Sequence, residues 1–180
     1  MKRTRVLLFG VVVLGAGCVS AQAELPEIEV TEPSISFPAY PVAADETTVT
    51  VSFPINAAKL GSSTKAENQQ AISALQMHDI LLVPTAGVSS LGFIRHLTVT
   101  ASPASVSGPA TLIVDYERPA SDAQAELHAM PTAPVDLLPL WRPKSAAART
   151  VHVALTVTGV LPSTTWAVEG RFILSATLHN

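Results

Sequence analysis

Residues 166–178 read WAVEGRFILSATL, and their period decides the fold. Trp166, Val168, Phe172, Leu174, Ala176 and Leu178 share one parity, against Ala167, Glu169, Arg171, Ser175 and Thr177 on the other. Successive side chains of a strand point to opposite faces, so the first set meets a core while the second meets water. Thirteen residues is long for a strand, where about five or six is usual. A bulge or bend is therefore expected near Gly170, which sits on the core-facing parity with no side chain to contribute.

The same period recurs upstream. Val151, Val153, Leu155 and Val157 alternate with His152, Ala154, Thr156 and Thr158, and Val49, Val51, Phe53 and Ile55 alternate with Thr48, Thr50, Ser52 and Pro54. Leu97 and Val99, then Leu112, Val114 and Tyr116, repeat the pattern. Threonine is favourable on a pleated, half-exposed surface, so the polar parity also argues for strands. Pro54 lacks a ladder donor and marks its strand as an edge. Shorter strands are expected at 25–30, 34–38 and 77–83, the last apolar on both parities and so expected to be covered on both faces. Helical signals are few. Thr64 and Glu67 have capping-box spacing ahead of Ala71, Ile72 and Leu75, which predicts one short helix. Residues 89–94 and 134–138 look like single helical turns. Roughly seven or eight alternating strands punctuated by Pro and Gly predict an all-β fold, an antiparallel two-sheet sandwich of immunoglobulin-like architecture, with one or two short helical turns.

The N-terminus has a different character. Lys2, Arg3 and Arg5 precede an apolar run from Val6 to Gly17, followed by Cys18, the chain's one cysteine. That run falls short of the roughly 20 residues of a spanning helix, and the charge pattern is that of an export signal. Two cleavage readings compete. Leu14-Gly15-Ala16-Gly17-Cys18 resembles a bacterial lipoprotein signal, which implies lipid on Cys18 and a leader of residues 1–17. Ala21-Gln22-Ala23 is instead a small-x-small site, with cleavage after Ala23 and a leader of residues 1–23. Residues 24–180 then form one domain. A single cysteine closes no internal disulfide, so that domain is held by its core.

Without the leader, eight basic residues stand against fourteen acidic ones, a net charge near −6. The basic residues are scattered singly, which argues against a nucleic-acid partner. The pattern Ser62-x-x-Lys65 has the spacing of a serine activated by lysine, but the companion elements of the enzymes that use it are missing. His78, His96, His128, His152 and His179 never fall at metal-binding spacing. His78 and Asp79 are adjacent, and adjacent strand residues face opposite ways. Asp115 and Glu117 share a strand face beside Arg118 and read as a wet surface. No catalytic or cofactor-binding residues and no cofactor are therefore assigned.

Residues 119–148 lack clear periodicity, and long irregular segments often carry function. An interaction loop is expected there, with Asp122, Glu126, His128, Trp141 and Arg142 as its candidate contacts; Trp and Arg are residue types that anchor interfaces. The Gly15-Ala16-Gly17-Cys18 junction joined to alternating strands from Thr47 onward resembles bacterial envelope lipoproteins and secreted proteins with one β-sandwich domain. That resemblance implies a membrane-anchored or periplasmic and secreted location; an envelope protein or wall polysaccharide is the partner separately expected. The expectation is a non-enzymatic binding or structural module. Two alternatives remain open: a carbohydrate-active or hydrolytic accessory domain with a loop-built site, and an apolar-ligand carrier. The first requires three or more of Asp79, Asp115, Asp122, Asp136, Glu126 and the histidines to converge in one cleft. The second requires a cavity between the sheets.

Overall fold

The computed structural model describes residues 23–24, 27–40, 46–56, 72–103, 109–120, 122, 124–141 and 150–178. Cys18, Arg142, and the Thr64 and Glu67 of the expected helix lie outside them. The chain forms β1 (Ala23–Glu24), β2 (Ile28–Phe37), β3 (Thr47–Asn56), β4 (Ile72–Ala86), β5 (Ile94–Pro103), β6 (Thr111–Glu117), β7 (Leu127–Ala129), a one-turn helix α1 (Leu138–Trp141), β8 (Thr150–Gly159) and β9 (Trp166–Leu178). Two antiparallel sheets pack as a sandwich. In one, β1 and β2 lie end to end along β9, followed by β4 and β7; in the other the order is β3-β8-β5-β6.

The strands with unbroken parity behave as their sequence requires. Val151, Val153, Leu155 and Val157 are buried from β8, and Trp166, Val168, Phe172, Leu174 and Ala176 from β9. Facing them across the sandwich, Phe53 meets Phe172 with ring centroids 5.7 Å apart. The outward threonines of β3 and β8 pair directly, Thr48 with Thr158 at 2.9 Å and Thr50 with Thr156 at 2.8 Å between hydroxyls. Such cross-strand pairs contribute about 0.2–1 kcal/mol each. Because β3 pairs only with β8, Pro54 sits on an edge strand, where its missing N–H costs no ladder bond.

Bulges account for the places where parity misleads. Against β9, β4 carries three extra residues, at Ser73, His78 and Thr85. Each shifts the core-facing set by one, so Leu75 and Met77 are buried and then Ile80 and Leu82. The double apolar parity of residues 77–83 is thus a change of phase at His78, with Leu81 and Val83 half-buried on the outer face. Ile72 and Leu75 belong to this strand and not to a helix. In β6 the extra residue is Ile113, which leaves Ile113 and Val114 buried together and turns Leu112 outward, 51% exposed. Near Gly170 the irregularity is present on the opposite partner: β9 runs on, and β2 bulges between Glu32 and Ile35. A Cβ on Gly170 would come within 2.8 Å of Ile35 Cδ1 and 3.0 Å of the Phe172 ring, so those side chains fill the space that Gly170 leaves. The two expected N-terminal strands are one, β2. Residues 89–94 form a turn closed by Ile94 N–H donating to the Leu91 carbonyl at 3.0 Å, without a helix.

Register fixes the two ends of the sandwich. At one end lie β1, paired to Leu178 and Thr177, together with Ile72, Asn56 and Thr150. At the other lie Phe37, Thr47, Ile94, Gly159 and Trp166, closed by Phe37 stacked on Trp166 at 4.0 Å and Phe93 set edge-on at 5.1 Å.

Candidate functional site: a mixed-charge cleft built on Arg118

β6 ends at Glu117, and the chain turns through Arg118 and Pro119. Arg118 is a buried charged residue, its side chain 1% exposed. Burying a guanidinium costs several kcal/mol unless hydrogen bonds and an opposite charge replace its water. Here Nη1 donates to the Gln124 carbonyl and Nη2 to the Glu126 carbonyl, both at 3.1 Å, and Asp122 Oδ2 stands 3.6 Å from Nη1. Asp122 in turn accepts from Gln124 N–H at 3.0 Å, and its own N–H donates to the Pro119 carbonyl at 2.9 Å. Leu91 N–H donating to the Ala125 carbonyl at 2.7 Å fastens the far side of the loop. Arg118 therefore ties together Pro119, Asp122, Gln124 and Glu126 of the following segment, with Asp122 and Glu126 placed by it. The sequence reading set Arg118 beside a wet surface of Asp115 and Glu117; those two are exposed, and Arg118 itself is buried. Its available signal was position: an arginine after a strand, before proline, with an aspartate four residues on.

Arg95 joins the same locality through a bulge. Ile94 pairs with Gly159 and His96 with Thr158, which leaves Arg95 as the extra residue of β5. Bulges re-aim side chains, and this one sets Arg95 in the wall of a cleft shared with Glu46, Glu117, Arg118, Pro119 and Ala120. The bulge needs Gly159, since a Cβ there would collide with the Phe93 carbonyl and come within 3.2 Å of Arg95 N. The Arg95 carbonyl accepts from Arg118 N–H at 2.8 Å, so backbone ties the two arginines together. The cleft encloses about 430 Å³. It opens at the end of the sandwich opposite β1. Among the described residues, the side chains of Arg95, Glu46 and Glu117 enter no ion pair or hydrogen bond.

The other expected contacts go elsewhere. His128 lies in β7, a strand inside the segment expected to be irregular, and its Nε2 donates to Asp79 Oδ2 at 2.5 Å. Met77 and Ile80 are buried, so the bulge at His78 leaves His78 exposed and Asp79 on the outer face as well. The expectation that these neighbours face opposite ways is corrected by that bulge. They still form separate pairs, since His78 Nε2 shares a hydrogen bond with Ser175 Oγ at 2.6 Å. On the other sheet, His96 Nε2 and Asp115 Oδ1 are 2.5 Å apart. Asp136 Oδ1 accepts from Leu75 N–H and Leu138 N–H, both at 3.0 Å, and so caps α1 and docks it on β4. Trp141 ends α1, with its side chain outside the described atoms.

The described acids and histidines of the hydrolytic reading are thus divided among two sheet faces, a loop and a cap. No group of three or more His, Cys, Asp or Glu able to hold a metal ion occurs among the described residues. A cavity lined by Ile55, Leu75, Met77, Leu137, Val151, Val153 and Leu174 measures about 20 Å³. Apolar-ligand sites need about 300–1,000 Å³, so this one has no room for cargo.

No family model matches the chain, and no curated protein does. Among solved structures, the chain is similar to the capsid protein of BFDV in its 60-mer crystal structure, with a TM-score of 0.39 and 10% identity over 91% of this chain and 96% of that one.

Proposed function

We propose that the chain is a non-enzymatic binding module of the bacterial envelope, attached or exported through its N-terminus and presenting the mixed-charge cleft at its far end. The observation that carries this reading is the polarity of the sandwich. β1, at the edge of the expected leader, lies at one end, and Glu46, Arg95, Glu117 and Arg118 gather at the other. A lipid on Cys18 would hold the first end at the membrane and turn the cleft toward the wall. Each buried methylene of such an anchor is worth about 0.8 kcal/mol, so two or three acyl chains give stable attachment where one does not. Among the described residues, Asp79 pairs with His128, His96 with Asp115 and Arg171 with Glu169, while Asp136 caps α1 and Asp122 shapes the loop, roles that serve the scaffold.

The test uses the processed protein purified from its host and insoluble wall sacculi. The reading predicts that the protein sediments with sacculi, and that Arg95→Gln and Glu117→Gln weaken this, without release of soluble fragments. Fragment release that stops on changing one titratable residue would make it a hydrolase. Failure to sediment at all would remove the wall as partner.

A further inference from the structure

We infer that the cleft binds a chemical group bearing a free carboxylate beside a free ammonium. Two arginines and two glutamates line one concavity, with Arg95, Glu46 and Glu117 exposed and Arg118 buried in its wall. A purely anionic ligand would confront Glu46 and Glu117, and a purely cationic one Arg95. A ligand with both signs meets all three. Neither Arg95 nor either glutamate has a charged partner among the described residues, so their pairing capacity is open to a ligand.

Arg118 supplies a second, independent observation. Its two terminal nitrogens are committed to the loop carbonyls, but its Nε has no acceptor although the side chain is 1% exposed. Buried donors are nearly always satisfied. A carboxylate paired with Arg95 and reaching the Arg118 Nε would satisfy this one. The glutamates then face the adjacent ammonium. A volume of about 430 Å³ accommodates the end of a short peptide or a single amino acid. Arg95 is the extra residue of the β5 bulge, a local departure from regular pairing beside the cleft.

Resting on the binding-module reading, the ligand's source would be the peptide part of the wall, where the free end of a diamino acid carries both groups. Free amino acids share that chemistry. Amide shifts of the isotope-labelled, processed protein would be followed by nuclear magnetic resonance with three probes: a disaccharide-tripeptide ending in diaminopimelate, free diaminopimelate, and the same disaccharide-tripeptide acetylated on that terminal amine. Saturable shifts at Arg95, Glu117 and Ala120 are expected, with acetylation weakening binding about tenfold, the loss of one charge-assisted contact. Arg95→Gln should weaken it by a similar factor with thermal melting unchanged, and Glu46→Gln combined with Glu117→Gln should abolish the preference for the free amine.

Tighter binding of the disaccharide-tripeptide identifies the wall as source, and equal or tighter binding of free diaminopimelate identifies a soluble amino acid. No saturable shift with either free-amine probe, or indifference to both acetylation and Arg95→Gln, overturns the inference. If sacculi are bound while these probes are not, the binding module stands and this chemistry of the cleft falls.

Discussion

Replacing Arg118 with methionine keeps most of the side chain's length and removes its charge, and so isolates what the guanidinium does. Two hydrogen bonds are lost, to the carbonyls of Gln124 and Glu126 at 3.1 Å each. Bonds to a charged group contribute about 1.5–3 kcal/mol apiece, a gross loss of ~3–6 kcal/mol. Both carbonyls belong to exposed residues and regain water in the variant, so the net destabilisation should lie near the lower end, about 2–3 kcal/mol. Asp122, its side chain 19% exposed, keeps contact with water and adds little once unpaired. In a domain of this size about 2–4 °C of melting temperature accompanies each kcal/mol, which predicts a fall of about 4–12 °C. Urea unfolding should give the free energy with unchanged cooperativity. Hydrogen exchange should show the Leu91, Asp122 and Gln124 amides, all bonded to or within the loop, exchanging faster, while those of β8 and β9 keep their order of protection. Variant stability within 0.5 kcal/mol of the parent, with those three amides unchanged, would refute Arg118 as the organiser of the loop.

Phe172→Ala should cost about 3–5 kcal/mol in urea unfolding, because the ring is fully buried between the sheets against Phe53. Gly170→Ala should cost about 1–3 kcal/mol, since the new methyl meets Ile35 and Phe172, and adding Ile35→Val should recover part of it; an additive double variant would contradict the packing account. Gly159→Ala should destabilise the chain and, by disturbing the bulge that holds Arg95, weaken binding at the cleft in the same titration that reports on Arg95→Gln.

The sandwich was legible because β8 and β9 keep one parity from end to end, and an unbroken period of two has no helical counterpart. Pro54 revealed its edge for an equally local reason, the missing donor. Bulges hid the rest. Each inserts a residue whose effect on facing depends on the partner strand, so Leu112 read as core and is exposed, and residues 77–83 read as doubly covered when the phase changes at His78. Ile72 and Leu75 fit a helical spacing only because the extra residue at Ser73 displaces their alternation. The site was hidden more deeply. Arg95, Arg118, Glu46 and Glu117 come from three separate stretches, and they meet because the starts of β3 and β5 and the end of β6 lie at the same end of the sandwich. Nothing in residue spacing encodes that meeting. The irregular segment did point to the neighbourhood, since Asp122 and Glu126 belong to the loop that Arg118 holds. His128 pairs instead with Asp79 across β4 and β7.

The central claim, an exported module whose far end carries the cleft, is tested most directly by the intact mass of the protein isolated from its host's membrane, periplasmic and cytosolic fractions. The account predicts a chain beginning at Cys18 with added lipid mass in the membrane fraction, or one beginning at Glu24 in the periplasm or medium. An uncut chain beginning at Met1 and confined to the cytosol would contradict it.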